Sequence, residues 1–259
     1  MRPMLLALCA TLLGACASAP PPPPDWQASA FDARNHYVSA YLEGNTRVAD
    51  WEFARAQNEV SRTGRPDRMA RLELVRCATQ AASLVLEPCN GYLALAADAL
   101  PPEQAYAAFL SGQWAGLDAK LLPPAYQSLV QQPMPSAAHG TAATQGATSS
   151  TSATSANSVS GASGAAASSL LKPIEDPLSR LVAAAVLLQR GQIGPADVEL
   201  AVDAASAQGW RRPLLAWLGV QFTRAHAAGD AAQAARVQRR IDTVLHTAVP
   251  AMGAPQDHR

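Results

Sequence analysis

The residue types able to do chemistry are few and scattered in this chain. Ser169-Leu170-Leu171-Lys172 has the S-x-x-K spacing in which a lysine amine can take a serine proton and make the hydroxyl a nucleophile. That chemistry needs the serine at a helix start beside S-D-N and K-T-G elements. Here the serine trails a Ser-rich tract, Pro173 follows at once, and neither element occurs. The five histidines, His36, His139, His226, His246 and His258, are dispersed, none at the spacing that sets two imidazoles on one helix face for zinc, and no C-x2-C pair exists. A Walker A loop, a G-x-G-x-x-G turn and a G-x-S-x-G elbow are also missing. No catalytic residue, metal ligand or cofactor is therefore assigned. An enzyme would need a site gathered from dispersed acids, as in a cell-wall hydrolase, and that reading stands as the alternative to a binding protein.

Cysteine is more informative. Arg2 forms a short basic start, and the apolar run from Met4 to Leu13 spans roughly ten residues. A membrane-crossing helix needs about 20. After that run, Leu13-Gly14-Ala15-Cys16 resembles a lipobox, the N-terminal signature of a bacterial lipoprotein precursor. The resemblance implies that residues 1–15 are a signal peptide cut before Cys16, that the Cys16 sulfur carries a diacylglyceryl group, and that the new amine is acylated, for instance by palmitate. It also implies an outer-membrane protein facing the periplasm, because Ala17 follows the cysteine where inner-membrane retention uses Asp. Ordinary secretion is the alternative, since Ala15-Cys16-Ala17 fits an A-x-A cleavage site. Two acyl chains suffice for stable anchoring, at about 0.8 kcal/mol per buried CH2. Pro20 to Pro24, within the 16–24 segment, would then be a polyproline II spacer of about 15 Å.

Of the four cysteines, Cys9 leaves with the leader and Cys16 takes lipid, which leaves Cys77 and Cys89 to pair in an oxidising space. Ala70, Leu74, Cys77, Ala78, Ala81 and Val85 follow helical spacing, so Cys77 is expected on an inward stripe. If that helix ends near residue 83, the following residues can double back the roughly 9 Å that pairing requires. Two reduced, buried thiols are the alternative.

The elements that must position these groups read as helices throughout. Asp25 opens a helix ending near Gly44, Thr46 opens another ending near Gly64, and Asp67 after Pro66 opens the Cys77 helix. Shorter helices are expected at Gly91 to Ala99, Pro102 to Leu110 and Pro124 to Gln131. Asp176-Pro177 offers an N-cap followed by proline at the first helical position, with Gly191 as the stop. Pro195, Pro213 and Asp230 open three further helices, the first two closed by Gly209 and Gly229 and the last reaching about His246. Leu181 to Leu188, LVAAAVLL, is too short to cross a membrane and predicts a helix buried on most sides. No alternating apolar run carries hairpin turn chemistry. The fold class is therefore all-α, built of antiparallel helical hairpins and interrupted by a long disordered insertion.

Residues 25–132 form an N-terminal helical part and 173–248 a C-terminal one, with 249–259 as a tail. Between them, 133–172 reads as a disordered linker whose stretch from Pro133 to Ser169 lacks Asp, Glu, Lys and Arg. We expect one helical assembly despite the insertion. In the C-terminal part, Leu215, Leu218, Gly219 and Phe222 occupy the spacing of the W-x2-L-G-x2-Y signature, and the segment resembles a tetratricopeptide repeat. It departs from that pattern in Leu215 for Trp, Phe222 for Tyr, and a late Gly229-Asp230 turn. The resemblance implies that Gly219 lets a neighbouring helix approach closely.

Twenty basic and twenty acidic side chains cancel, against the basic balance of a nucleic-acid binder. The expected partners are the membrane, through the N-terminal lipid, and another periplasmic or outer-membrane protein. Arg236 with Arg239-Arg240 forms one basic cluster and Arg211-Arg212 another. The five tryptophans read mainly as packing residues, except Trp210, which with Arg211 and Arg212 is the expected interface anchor, since Trp and Arg dominate hot spots.

Overall fold

Helix termini leave orphan backbone groups; the expected Asp176 and Asp230 side chains close two of them, whereas Asp25, Thr46 and Asp67 lie inside the helices they were expected to open. The computed structural model describes residues 23–131 and 171–246, which contain ten α-helices and no strand. Helices α1 (Asp25–Glu43) and α2 (Thr46–Ser61) make a hairpin. Gly44 supplies the left-handed C-cap that ends α1, with φ of 95°, and the Asn45 side chain then accepts from Val48 N to start α2. Tyr37 and Phe53 meet inside this hairpin with ring centroids 5.0 Å apart.

Helix α3 (Pro66–Ala82) follows, and the Cys77 loop leads to the single turn α4 (Asn90–Leu93) and a 3-10 turn at Ala96–Asp98. The one helix expected over Gly91 to Ala99 is thus two short pieces. Helices α5 (Pro101–Leu110) and α6 (Pro124–Gln131) complete the N-terminal segment. Phe109, fully buried, stacks with Tyr126 at 4.5 Å and Trp114 at 5.5 Å, which packs α5, α6 and the intervening loop on one another.

The second segment begins inside the core. Leu171, placed by composition in the linker, is fully buried, and Ile174 is nearly so, so the packed chain resumes earlier than the sequence indicates. The earlier part of that linker lies outside the described residues, as do Ser169 and the leader with Cys16. Helix α7 (Pro177–Gln189) is capped by Asp176, whose carboxylate accepts from Ser179 N at 2.7 Å. Leu181 to Leu187 are all buried, as the apolar run predicts. Helices α8 (Pro195–Ala207), α9 (Arg211–Ala227) and α10 (Ala231–His246) then pack in sequence. Their short connections make them antiparallel neighbours. Helix α9 starts at Arg211 rather than Pro213, which sits in its first turn where no intrahelical N–H is needed.

Gly219 does not carry the role that its place in a tetratricopeptide signature implies. A methyl group there would meet nothing within 4 Å, so no helix approaches closely enough to demand glycine.

The two segments share one core. It joins Tyr37, Phe53 and Phe109 from the first to Leu181, Val198 and Trp217 from the second. Polar contacts lock the same junction. Trp217 Nε1 donates to the Ala82 carbonyl at 3.1 Å, and the Arg190 guanidinium donates to the Gly112 carbonyl while lying 4.2 Å from the Trp114 ring.

Arg212 belongs to this junction. Its Nε donates to the Tyr41 carbonyl at 2.7 Å, its terminal nitrogen to Thr46 Oγ1 at 2.6 Å, and its plane lies 4.2 Å from the Tyr41 ring. One guanidinium fork thus bridges the end of α1 and the start of α2, a geometry lysine cannot reproduce. Arg212→Ala should lower stability by about 2 kcal/mol, as expected for charge-assisted hydrogen bonds, and Arg212→Lys should recover less than half of the loss. Urea unfolding of the three proteins reads the difference. Neighbouring Trp210 and Arg211 are half-buried, Trp210 packing against the core. The expected Trp210-Arg211-Arg212 docking anchor is therefore used largely within the molecule.

Candidate binding cleft and basic groove

Helix α3 carries three different faces, and their chemistry follows from where each points. Leu74, Cys77 and Ala81, at i, i+3 and i+7, line one side of a cleft of about 530 Å³. Tyr92 and Leu93 of α4 and Ala107 and Ala108 of α5 supply other walls, and the loop Val85 to Cys89 closes the end. Gln104, Gln113 and Gln189 set polar groups around this mostly apolar surface. Leu93 is 57% exposed at the rim.

The cleft exists because the chain turns sharply after α3. Leu84 takes a left-handed φ of 61°, a costly conformation for a branched side chain, and the chain then runs back along the helix. The Cys77–Cys89 disulfide holds that return, with Cα atoms 5.9 Å apart. Cys77 is half-buried on the cleft face rather than on the inward stripe that its spacing suggests, and Val85 lies beyond the helix and exposed. The helix ends at Ala82, so the helical spacing from Ala70 to Val85 extends past its end.

A second face of α3 buries charge. Glu73 accepts from Gln57 Nε2 at 2.7 Å and pairs with Arg76 at 2.6 Å. Gly91 packs directly on this pair: a Cβ there would run into Glu73 Oε2 and an Arg76 terminal nitrogen. Gly91→Ala must displace the ends of the Glu73 and Arg76 side chains, which can shift, and should cost about 1 kcal/mol, the low end of the overpacking range. Thermal melting of the purified variant checks this.

The third face forms a groove. Arg68, Arg71, Leu72 and Val75 of α3 oppose Trp26, Phe31 and Arg34 of α1 around about 350 Å³. Arg71 and Val75 also line an adjoining hollow of about 380 Å³ with Pro102, Glu103 and Tyr106. Arg71 is neutralised by Glu103 at 2.6 Å. Arg34 and Arg68 have no carboxylate partner among the described residues: Arg34 lies 4.6 Å from the Phe31 ring and donates to Asn35 Oδ1 at 2.9 Å, and Arg68 lies 4.8 Å from the Trp26 ring. Partial burial pulls Arg34 below the ordinary arginine value.

No protein-family model, no curated protein and no solved structure matches the chain. Among the described residues, no group of three or more His, Cys, Asp or Glu side chains could hold a metal ion, and no helix is long and apolar enough to cross a membrane. His36, His226 and His246 are exposed, and His139 and His258 lie outside the described residues. Of the tryptophans, Trp217 is fully buried, Trp26, Trp114 and Trp210 are half-buried, and Trp51 is 63% exposed rather than packed. The sequence reading found Cys77 and Cys89. It missed Trp26, Phe31, Arg34 and Arg68, whose only signal was an aromatic and an arginine at neighbouring turns of two helices.

Proposed function

We propose that this chain is a lipid-anchored, periplasm-facing envelope protein, held at the outer membrane through Cys16, whose helical body is a non-enzymatic binding module. Its docking site is the disulfide-framed cleft, and its ligand is an apolar segment of another periplasmic or outer-membrane protein. The observation that carries the reading is the cleft itself, an apolar cavity with a fixed wall, a ring of glutamines and an exposed leucine rim. Such a surface gains by burying a partner's side chains while amide groups at the edge set orientation. Among the described residues, Glu87 is the one carboxylate lining it. A helical scaffold suits this role, because rigid elements hold a cleft open without a ligand.

Ala107→Glu tests the assignment by placing a charge on the cleft wall while leaving the α7 to α10 core alone. Crosslinking in intact cells followed by purification and mass spectrometry should recover a specific envelope protein with the wild type and lose it with the variant. Recovery of the same protein at the same yield with both would refute the cleft as the docking site.

A further inference from the structure

The basic groove between α1 and α3 faces a different ligand from the cleft. Its two guanidinium groups, without a carboxylate partner among the described residues, sit over aromatic rings, and Phe31 is 55% exposed beside Arg34. Arginine paired with interfacial aromatics is the side-chain chemistry that meets phosphate at a bilayer surface, the ring entering the headgroup layer while the cation meets the phosphate. The position of the groove adds a second argument. Trp26 stands at the first turn of α1, and Pro24 just before it has the polyproline II angles φ −55° and ψ 145°. Ten residues separate Trp26 from Cys16 in the sequence. Even a fully extended chain would put the two no more than about 36 Å apart.

We propose that the Trp26/Phe31/Arg34/Arg68 groove seats the phosphate headgroups of anionic phospholipid in the membrane that holds the anchor, orienting the body on its stalk. The inference rests on the lipobox reading for its proximity argument, and the groove chemistry stands apart from it. A tethered site at such short range experiences lipid at high effective concentration, so weak contacts suffice. The cleft lies on another face of α3 and stays free for a protein.

The test uses the mature chain from residue 16 onward carrying Cys16→Ser, so that no acyl chain contributes, in cosedimentation with vesicles. It should bind vesicles of phosphatidylglycerol and phosphatidylcholine and not phosphatidylcholine alone. With about 1 kcal/mol per basic side chain at an anionic surface, Arg34→Gln/Arg68→Gln should reduce partitioning roughly 30-fold. The double variant should stay folded, losing only the two ring contacts and the Arg34–Asn35 hydrogen bond, and its melting curve checks this. Equal binding by the double variant, equal binding to both vesicle types, loss through Arg236→Gln/Arg239→Gln/Arg240→Gln instead, or displacement by inorganic phosphate at constant ionic strength would each overturn the proposal. The intact mass of the chain purified from cell membranes reads acylation of Cys16 separately, so failure of the anchor and failure of the groove are distinguishable.

Discussion

Trp217→Ala should remove about 3–5 kcal/mol of stability, a large part of the 5–15 kcal/mol that a folded domain has. The indole is fully buried at the junction of the two described segments, so its loss leaves a cavity that neither segment alone can close. It also donates to the carbonyl of Ala82, the last residue of α3, which is one of the acceptors every helix end leaves unpaired. For a body of this size the melting temperature should fall by about 10 °C. Trp217→Phe separates the two contributions. It keeps most of the buried ring and strands the carbonyl, for a cost of about 1–3 kcal/mol. A single cooperative transition in the wild type, shifted as a whole in both variants, is the expected calorimetric result. Splitting into two transitions would mean that the segments fold separately.

Loss of the disulfide should be the second large effect. Cys77 and Cys89 are 12 residues apart, and closing a loop of that size removes about 3 kcal/mol of entropy from the unfolded chain. Cys77→Ala/Cys89→Ala should therefore melt several degrees lower in oxidising buffer, and addition of reductant should lower the wild type towards it while leaving the variant unchanged. The functional consequence is greater than the stability loss. The bond is what holds Val85 to Cys89 as a wall of the cleft, and that loop contributes little to the main core. Partner binding should fall under conditions in which the variant is still folded.

These effects also show which parts of the architecture can be read in a single sequence. Helix starts were legible where a local side chain closes the terminus: Asp176 before Pro177, and Asp230, whose carboxylate accepts from Gln233 N at 2.9 Å. The buried run at α7 was legible because eight apolar residues leave no polar face. The end of α3 was not, since its left-handed residue is Leu84 and no glycine marks it. Arg212 was misread for a related reason. A basic pair beside a tryptophan resembles a surface anchor, and only the fold brings the end of α1, 171 residues away, under its guanidinium. The cleft and the groove share this property. The cleft needs α3, α4 and α5, and the groove needs α1 and α3, so neither has a spacing signature along the chain.

The central claim, that the cleft is where this body holds a protein partner, is tested most directly by site-specific photocrosslinking in intact cells. A photoreactive residue at Leu93, on the cleft rim, should give a discrete crosslinked species. The same residue at Leu245, also exposed but on the terminal helix α10, should give none. A discrete species from Leu245 with nothing from Leu93 would contradict the account.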